Sequence, residues 1–343
     1  MQMVALLVVL AVMASSGGCY YLQAANGQWQ VMRKREPIVD VIEDAETPAK
    51  LAVRLRLVQE ARQFAIDELA LPDNDTYRSY ADIERDFVVW NVFAAPEFSL
   101  EAKRWCFPVA GCVGYRGYFS EQSARRESEG LANRGYDVSV GGVSAYSTLG
   151  HFDDPVLSSM MRWDDLRLVA VLFHELAHQV LYVKGDTSFN ESFASAVEEF
   201  GMQRWLSSRH QGDELERYIE RRALRKDLMA LVASARADLE THYSAAIDDL
   251  EKRALKRQRL QRLRAELDAR LERAGLTESN WPGADLNNAR LASLAMYEQA
   301  LPAFRALFRQ CNEDIRCFYA RATEIGEQDK AARSAALDAL AAG

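Results

Sequence analysis

The sequence has no apolar run long enough to cross a membrane. The run at its start, MVALLVVLAVMA at 3–14, has 12 residues, whereas a spanning helix needs about 20. Nor is there an excess of positive charge: 42 Lys and Arg stand against 50 Asp and Glu, a net charge of −8, which argues against a protein that neutralises nucleic-acid phosphates. Cysteines number five, and none lies in a Cys-x-x-Cys pair or beside a histidine, so a thiolate metal cluster is disfavoured. Gly142-Val143-Ser144-Ala145-Tyr146 lacks the closing glycine of a G-x-S-x-G elbow, which leaves a serine hydrolase little support. Between Gly212 and Gly275 there is neither Gly nor Pro, so nothing there breaks a helix. What remains is an ordinary globular mixture, 49% hydrophobic and 27% charged. Its length suits two domains, or one domain with a long helical insertion.

The short apolar run is followed by Ser15-Ser16-Gly17-Gly18-Cys19, which suits a signal peptide rather than a span. Small residues directly before a cysteine resemble a bacterial lipoprotein cleavage site, with residues 1–18 removed and Cys19 lipidated as the mature N-terminus. Tyr20 follows it instead of the aspartate that retains lipoproteins in the inner membrane. The expected location is therefore the cell envelope, lipid-anchored on the periplasmic face of the outer membrane of a Gram-negative bacterium. Setting Cys19 aside leaves an even number. Cys106 and Cys112 enclose Pro108 and Gly111, and Cys311 and Cys317 repeat the spacing. An oxidising periplasm permits disulfides, and two local bridges are the preferred pairing, with cross-pairing as the alternative.

Residues 19–48 read as a membrane-proximal segment. Apolar positions Leu51, Leu55, Val58, Ala61, Ala65 and Leu69 recur at helical spacing over 49–71, before Pro72-Asp73-Asn74-Asp75. Segments 86–94, 98–107, 112–119 and 136–148 read as strands, and 120–133 as a helix. Past Gly212 the pattern predicts a long helical hairpin, with Leu260, Leu263, Leu267 and Leu271 forming one apolar stripe. The cluster Lys252, Arg253, Lys256, Arg257, Arg259, Arg262 and Arg264 reads as a solvated helix face. A last helical region, 286–310, precedes the second cysteine pair.

The sharpest signal is His174-Glu175-Leu176-Ala177-His178 within the apolar stretch 166–183. Four residues of helix turn through about 400°, placing both imidazoles on one face where one zinc ion can bind them. Glu175, about 100° away, can act as the catalytic base. Asp164 or Asp165 suits the N-cap of this helix, and Gly185 suits the position after its end. A catalytic zinc normally has three protein ligands. Downstream, Asn190-Glu191 resembles the gluzincin metallopeptidases, whose third ligand is a glutamate on the next helix. The resemblance implies His174, His178 and Glu191 as ligands. Only 12 residues separate His178 from Glu191, so a tight turn must join the two helices. A metzincin would need a third histidine soon after a glycine, but His210 and His242 are too far along.

The segments WCFPVAGCVGYRGYF (105–119), GYDVSVGGVSAYSTLGHFDDP (135–155), HELAHQVLYVKGDTSFNESFA (174–194) and NNARLASLAMYEQALPAF (287–304) together resemble the bacterial family of predicted aminopeptidases. That resemblance implies zinc-dependent hydrolysis of a peptide or protein substrate, with one Zn2+ ion. In such a site Glu175 takes a proton from the attacking water and returns it to the leaving amine. The oxyanion also needs a donor; Tyr146, Tyr182, Arg290 and Tyr297 are candidates, and Glu198 could orient a ligand imidazole. In gluzincins the strand before the active helix commonly pairs with extended substrate, which points to Gly142, Val143 and Ser144. The competing reading is a non-catalytic envelope scaffold using zinc structurally.

The sequence therefore predicts an α+β protein: a gluzincin-like core over 49–211, with a small sheet, the HExxH helix and a glutamate helix. A helical C-terminal region over 212–343 packs back on it.

Overall fold

The computed structural model describes residues 18–107, 111–276, 281, 283, 286–295 and 300–342. In chain order its elements are α1 (Gly18–Arg33), β1 (Arg35–Pro37), α2 (Ile38–Glu43), α3 (Ala49–Asp67), β2 (Ser79–Ala81), β3 (Val89–Pro96), β4 (Trp105–Phe107), β5 (Gly111–Val113), β6 (Arg116–Tyr118), α4 (Glu121–Ala132), β7 (Tyr136–Val143) and β8 (Val156–Leu157). The rest is helical: α5 (Asp165–Val180), α6 (Thr187–Ser208), α7 (Gly212–Ser244), α8 (Asp249–Arg273), α9 (Asn288–Ala295), α10 (Leu301–Gln310), α11 (Ile315–Gly326) and α12 (Lys330–Ala342). The class is α+β. Among the described residues no helix is long and apolar enough to cross a membrane.

Three small sheets form. In one, β3 lies between β6 and β7, antiparallel to both. In another, β2 pairs antiparallel with β1 and parallel with β8. The third is the β4–β5 hairpin, closed by a Cys106–Cys112 disulfide, and a second disulfide joins Cys311 to Cys317. Both local bridges thus form.

Several boundaries move from those expected. Helix α3 stops at Asp67 because Ala70 takes a left-handed φ of 49°. The Arg62 guanidinium, 3% exposed, gathers the carbonyls of Pro72, Asn74 and Thr76 and so fixes the loop that follows. The expected strand over 98–107 shrinks to β4, since Phe98 and Leu100 leave the sheet to pack among the long helices, beside Tyr243. The segment after Cys19 is helical: Gln23 accepts from the Phe119 backbone N–H at 3.2 Å, and the Tyr20 ring packs on Phe107 and Tyr118.

Among the described residues four apolar clusters result, of which two are large. The larger is built on α3, α5, α6 and α10–α12, and the smaller joins Val232, Ala235 and Leu239 of α7 to Leu263, Leu267 and Leu271 of α8. Leu260, the remaining member of the predicted stripe, is partly buried against the same core. The basic cluster on α8 is a solvated face only in part, since Arg257 and Arg262 are exposed but other members are not. Lys256 and Arg259 are buried; Arg253 forks onto Glu97 at 2.7 and 2.9 Å, Lys256 meets Asp137 at 2.7 Å, and Arg259 meets Asp238 at 2.6 Å. The carboxylates that recruit them lie far away in sequence, so local charge pattern does not reveal the docking.

Helices α5 and α6 pack closely where α6 carries Gly201. A Cβ there would lie 2.7 Å from Leu69 Cδ1 and 2.8 Å from Phe173 Cδ2, closer than packed carbons approach. Replacing Gly201 by Val should therefore destabilise the protein by about 1–3 kcal/mol through overpacking. Urea unfolding midpoints check this; an unchanged midpoint would mean that the α5–α6 spacing tolerates the added volume.

Candidate metal centre

Helix α5 starts where the Asp164 side chain accepts from the Arg167 backbone N–H at 2.8 Å. Leu168, Val169, Leu172, Phe173 and Leu176 are buried on its inner face. This 3.6-residue periodicity leaves His174, Glu175 and His178 on the side that faces the cleft. The helix ends at Val180, with Leu181 extended at φ −147°, and not next to Gly185 as expected. Gly185, at φ +80°, instead serves the turn that starts α6, where the Asp186 N–H donates to the Val183 carbonyl at 3.1 Å. Only glycine takes that conformation at little steric cost.

Asn190 is the reason for the early stop. It is 1% exposed, its Oδ1 accepts from Val183 N at 2.7 Å, and its Nδ2 donates to Val183 O at 2.9 Å. The side chain satisfies both backbone groups of a residue that has left the helix, so the α5–α6 connection is locked without regular structure. Asp186 caps α6 through Phe189 N at 3.2 Å and also accepts from Arg333 of α12 at 2.9 Å. The next residue after the clamp is Glu191, presented toward α5.

The geometry brings three groups together. Glu191 Oε2 is 3.3 Å from His174 Nε2, and Glu191 Oε1 is 3.8 Å from His178 Nε2. One ligand atom from each of His174, His178 and Glu191 falls within 4.8 Å of the others. Behind them, Glu198 Oε2 lies 3.2 Å from His174 Nδ1, which directs Nε2 to the centre. Glu198 lies about two helical turns beyond Glu191 and meets His174 Nδ1 instead of the same point; Glu199 turns away to Arg222 and Arg305, 2.8 Å from each.

The electrostatics suit a cation. Burial alone would lower the His174 pKa, but Glu191 and Glu198, one at each ring nitrogen, outweigh it and hold it well above the usual histidine value. Burial pulls His178 down to about 4, so its ring is neutral and offers a lone pair at neutral pH. For Glu191 burial opposes ionisation and the two imidazoles overcome it, keeping the carboxylate below its ordinary range. Burial, foremost, and the neighbouring carboxylates push Glu175 up to about 7, although His174 pulls the other way. Two imidazoles and a carboxylate form a nitrogen and oxygen donor set of the kind that holds a divalent transition metal.

A cleft of ≈ 500 Å³ opens beside these groups, with Tyr20 and Gln28 of α1, Tyr115, Phe119 and Tyr146 in its walls. Tyr146 donates its hydroxyl to Gln28. Tyr182 lines the same cleft, its ring 6.4 Å from that of His178. Val143, at the end of β7, reaches the cleft, while Gly142 faces the Phe87 ring and the Ser144 carbonyl accepts from Ser159 at 2.6 Å. Strand β7 is one of the two outer strands of its sheet among the described residues.

Arg290 is a correction. It sits on α9, which packs at the Val138 end of β7 through Asn287, whereas the cleft lies at the Val143 end. It is not among the residues that line the cleft. Tyr297 lies outside the described residues, as do 1–17 of the expected signal peptide. Cys19 falls in the first turn of α1.

Sequence reading passed over Tyr115, the Asn190 clamp, the α1 wall and Asp154. Tyr115 is held protonated, by burial first and then by the charges of Glu191 and Glu175. Its place after the disulfide hairpin has no periodic signature. Asp154, 2% exposed, ties the cleft-lip loop by accepting from Thr148 N at 2.7 Å and Thr148 Oγ1 at 2.9 Å, while its Oδ1 is buried without a partner among the described residues.

Burial raises the Asp154 pKa from 3.8 to about 6. A carboxyl raised on folding costs nothing below pH 4, where it is protonated in both states, and costs progressively more as pH rises from 4 to 6. Asp154→Asn should therefore stabilise the protein at pH 7, by at most about 3 kcal/mol, and have little effect at pH 4. Thermal melts at the two pH values check the sign. A variant less stable than the parent at pH 7 would show that the Asp154 charge is favourable in the fold.

A family model described as "Putative aminopeptidase" matches residues 19–337. No curated protein and no solved structure matches the chain.

Proposed function

The chain belongs to the putative aminopeptidase family, and from that membership we propose that it is a zinc peptidase of the HExxH…E, gluzincin type. The observation that carries this reading is the meeting of His174, His178 and Glu191 at one point with Glu175 beside it. A zinc ion held by those three residues would polarise a peptide carbonyl and make water nucleophilic near neutral pH.

The protein's own groups do the rest. Glu175 is the base: a carboxylate at the cleft accepts the proton of the attacking water and hands it to the departing amine. Glu198 holds the His174 ring through Nδ1 and leaves Nε2 to the metal. The protonated phenols of Tyr115 and Tyr182 are hydrogen-bond donors in the cleft for developing negative charge on the carbonyl oxygen. Val143 lines the cleft, and the outer edge of β7 beside it offers extended backbone for a peptide substrate.

We place the protein in the cell envelope, lipid-anchored through Cys19 to the periplasmic face of the outer membrane. The small residues before Cys19 support this, as does the exposure of Tyr21, Leu22 and Trp29 on α1 directly after it, since aromatic residues favour membrane interfaces. Cys19→Ser should leave the protein without lipid and shift it from the membrane pellet to the supernatant on cell fractionation. Protein that stays membrane-bound would point to an uncleaved N-terminal helix.

Digestion of a peptide library by purified, zinc-loaded protein tests the activity, and trimming from the N-terminus marks aminopeptidase action. Glu175→Gln should keep zinc and lose about 10²- to 10⁴-fold in turnover, and Glu191→Ala should lose zinc. Glu198→Ala should weaken zinc binding or activity by about 10- to 100-fold. Full turnover by Glu175→Gln with normal zinc content would refute the mechanism, and zinc retained by Glu191→Ala would refute the ligand assignment.

A further inference from the structure

A second cavity, of ≈ 440 Å³, shares His174 and Glu175 with the first. It lies between α5, α6 and α7, and His174 and Glu175 form one of its walls. Where the first cleft is aromatic, this one is basic: Arg167 of α5 and Arg221, Arg222 and Arg225 of α7 line it, against the carboxylates of Glu175 and Glu198. Glu198 is already committed to His174 Nδ1, at 3.2 Å.

The arginines have a sequence logic. Tyr218, Arg221, Arg222 and Arg225 are spaced i, i+3, i+4 and i+7, which is one face of a helix, and α7 turns that face toward the HExxH helix. Arg222 is held in place by Glu199 at 2.8 Å, and Arg221 by Asp164 at 2.8 Å, so the guanidiniums are pre-positioned. Arg167 stacks over Trp163, 4.6 Å from the ring centroid. Tyr218 provides an independent sign of a binding site. The residue is 6% exposed and lines the cavity, yet its buried hydroxyl has no partner among the described residues. Leaving such a group unpaired costs about 1–3 kcal/mol, a cost that an arriving acceptor removes.

We propose that this cavity is a subsite for a carboxylate of the substrate, received by the Arg221, Arg222, Arg225 and Tyr218 face of α7 while the bond to be cut lies at Glu175. Guanidinium and phenol are all donors, and a planar carboxylate is the acceptor that matches them. The substrate class is thus a peptide with an acidic side chain, or a free C-terminal carboxylate, beside the cleaved bond. This deepens the peptidase reading and rests on it for the position of that bond.

The test has a binding arm and a turnover arm. In the first, the metal-free full-length protein is titrated calorimetrically with glutarate and with glutaramide. Glutarate should bind at least about tenfold more tightly, and both Arg225→Gln and the conservative Tyr218→Phe should weaken it several-fold. In the second, zinc-loaded protein is given peptides that differ only next to the cleaved bond: Glu with an amidated terminus, Gln with an amidated terminus, and Gln with a free terminus. The carboxylate-bearing peptides should show kcat/KM at least about tenfold above the neutral one, and Tyr218→Phe should shrink that ratio. Which of the two leads identifies the source of the carboxylate. Glutarate binding that both variants leave unchanged, or equal cleavage of all three peptides, overturns the subsite and leaves the peptidase reading intact. Variant-sensitive glutarate binding without cleavage of any peptide keeps the anion site and removes the peptidase reading.

Discussion

A carboxylate on one helix inserted between two imidazoles on another is the constraint around which this protein is organised. Glu191, His174 and His178 have side chains only 16%, 14% and 7% exposed, and buried ionisable groups are tolerated only when they compensate one another or hold an ion. Compensation needs α5 and α6 at a defined separation and rotation. Gly201 permits their approach, Asn190 locks the link between them, and Asp186 ties the start of α6 to α12. The aromatic cluster of Phe189, Phe193, Phe304 and Phe318 packs on the opposite side of α6. Each of these contacts belongs to a different stretch of chain, and each restrains the position of a single carboxylate.

The two cavities that meet at His174 and Glu175 differ in chemistry because different elements build them. The aromatic cleft draws most of its walls from the sheet, the disulfide hairpin region and α1, N-terminal to the HExxH helix, with Tyr182 and Glu191 after it, while the basic cavity draws its floor from α7. Helix α1 has a double exposure. Tyr20, Ala24 and Gln28 turn into the cleft at four-residue spacing, and Tyr21, Leu22 and Trp29 face outward. An anchor at Cys19 would therefore hold the cleft wall itself at the membrane surface.

Docking of the long hairpin shows how charge pattern can mislead. On a helical wheel the basic residues of α8 resemble a solvated surface, and only folding brings Glu97 and Asp137 to them. The buried Lys256 and Arg259 each find a carboxylate within hydrogen-bond distance, as burial of a cationic side chain demands.

By itself the sequence determined what is local. Helical spacing put His174 and His178 on one face, aromatic and β-branched residues marked the segments that hold β3 and β7, and the absence of Gly and Pro over 213–274 required long helices. Equal cysteine spacings suited the two bridges that form. All of these follow from the period of a single element or from a few adjacent residues. Tertiary structure decided the rest. It set Glu191 and not Glu199 against the imidazoles, removed Arg290 to the far end of the sheet, and made α1 a wall of the cleft. It also turned Arg221, Arg222 and Arg225 toward Glu175. Those outcomes depend on the rotation and separation of helices, which side-chain packing at Gly201 and the clamp at Asn190 establish, and no periodicity within one segment encodes them.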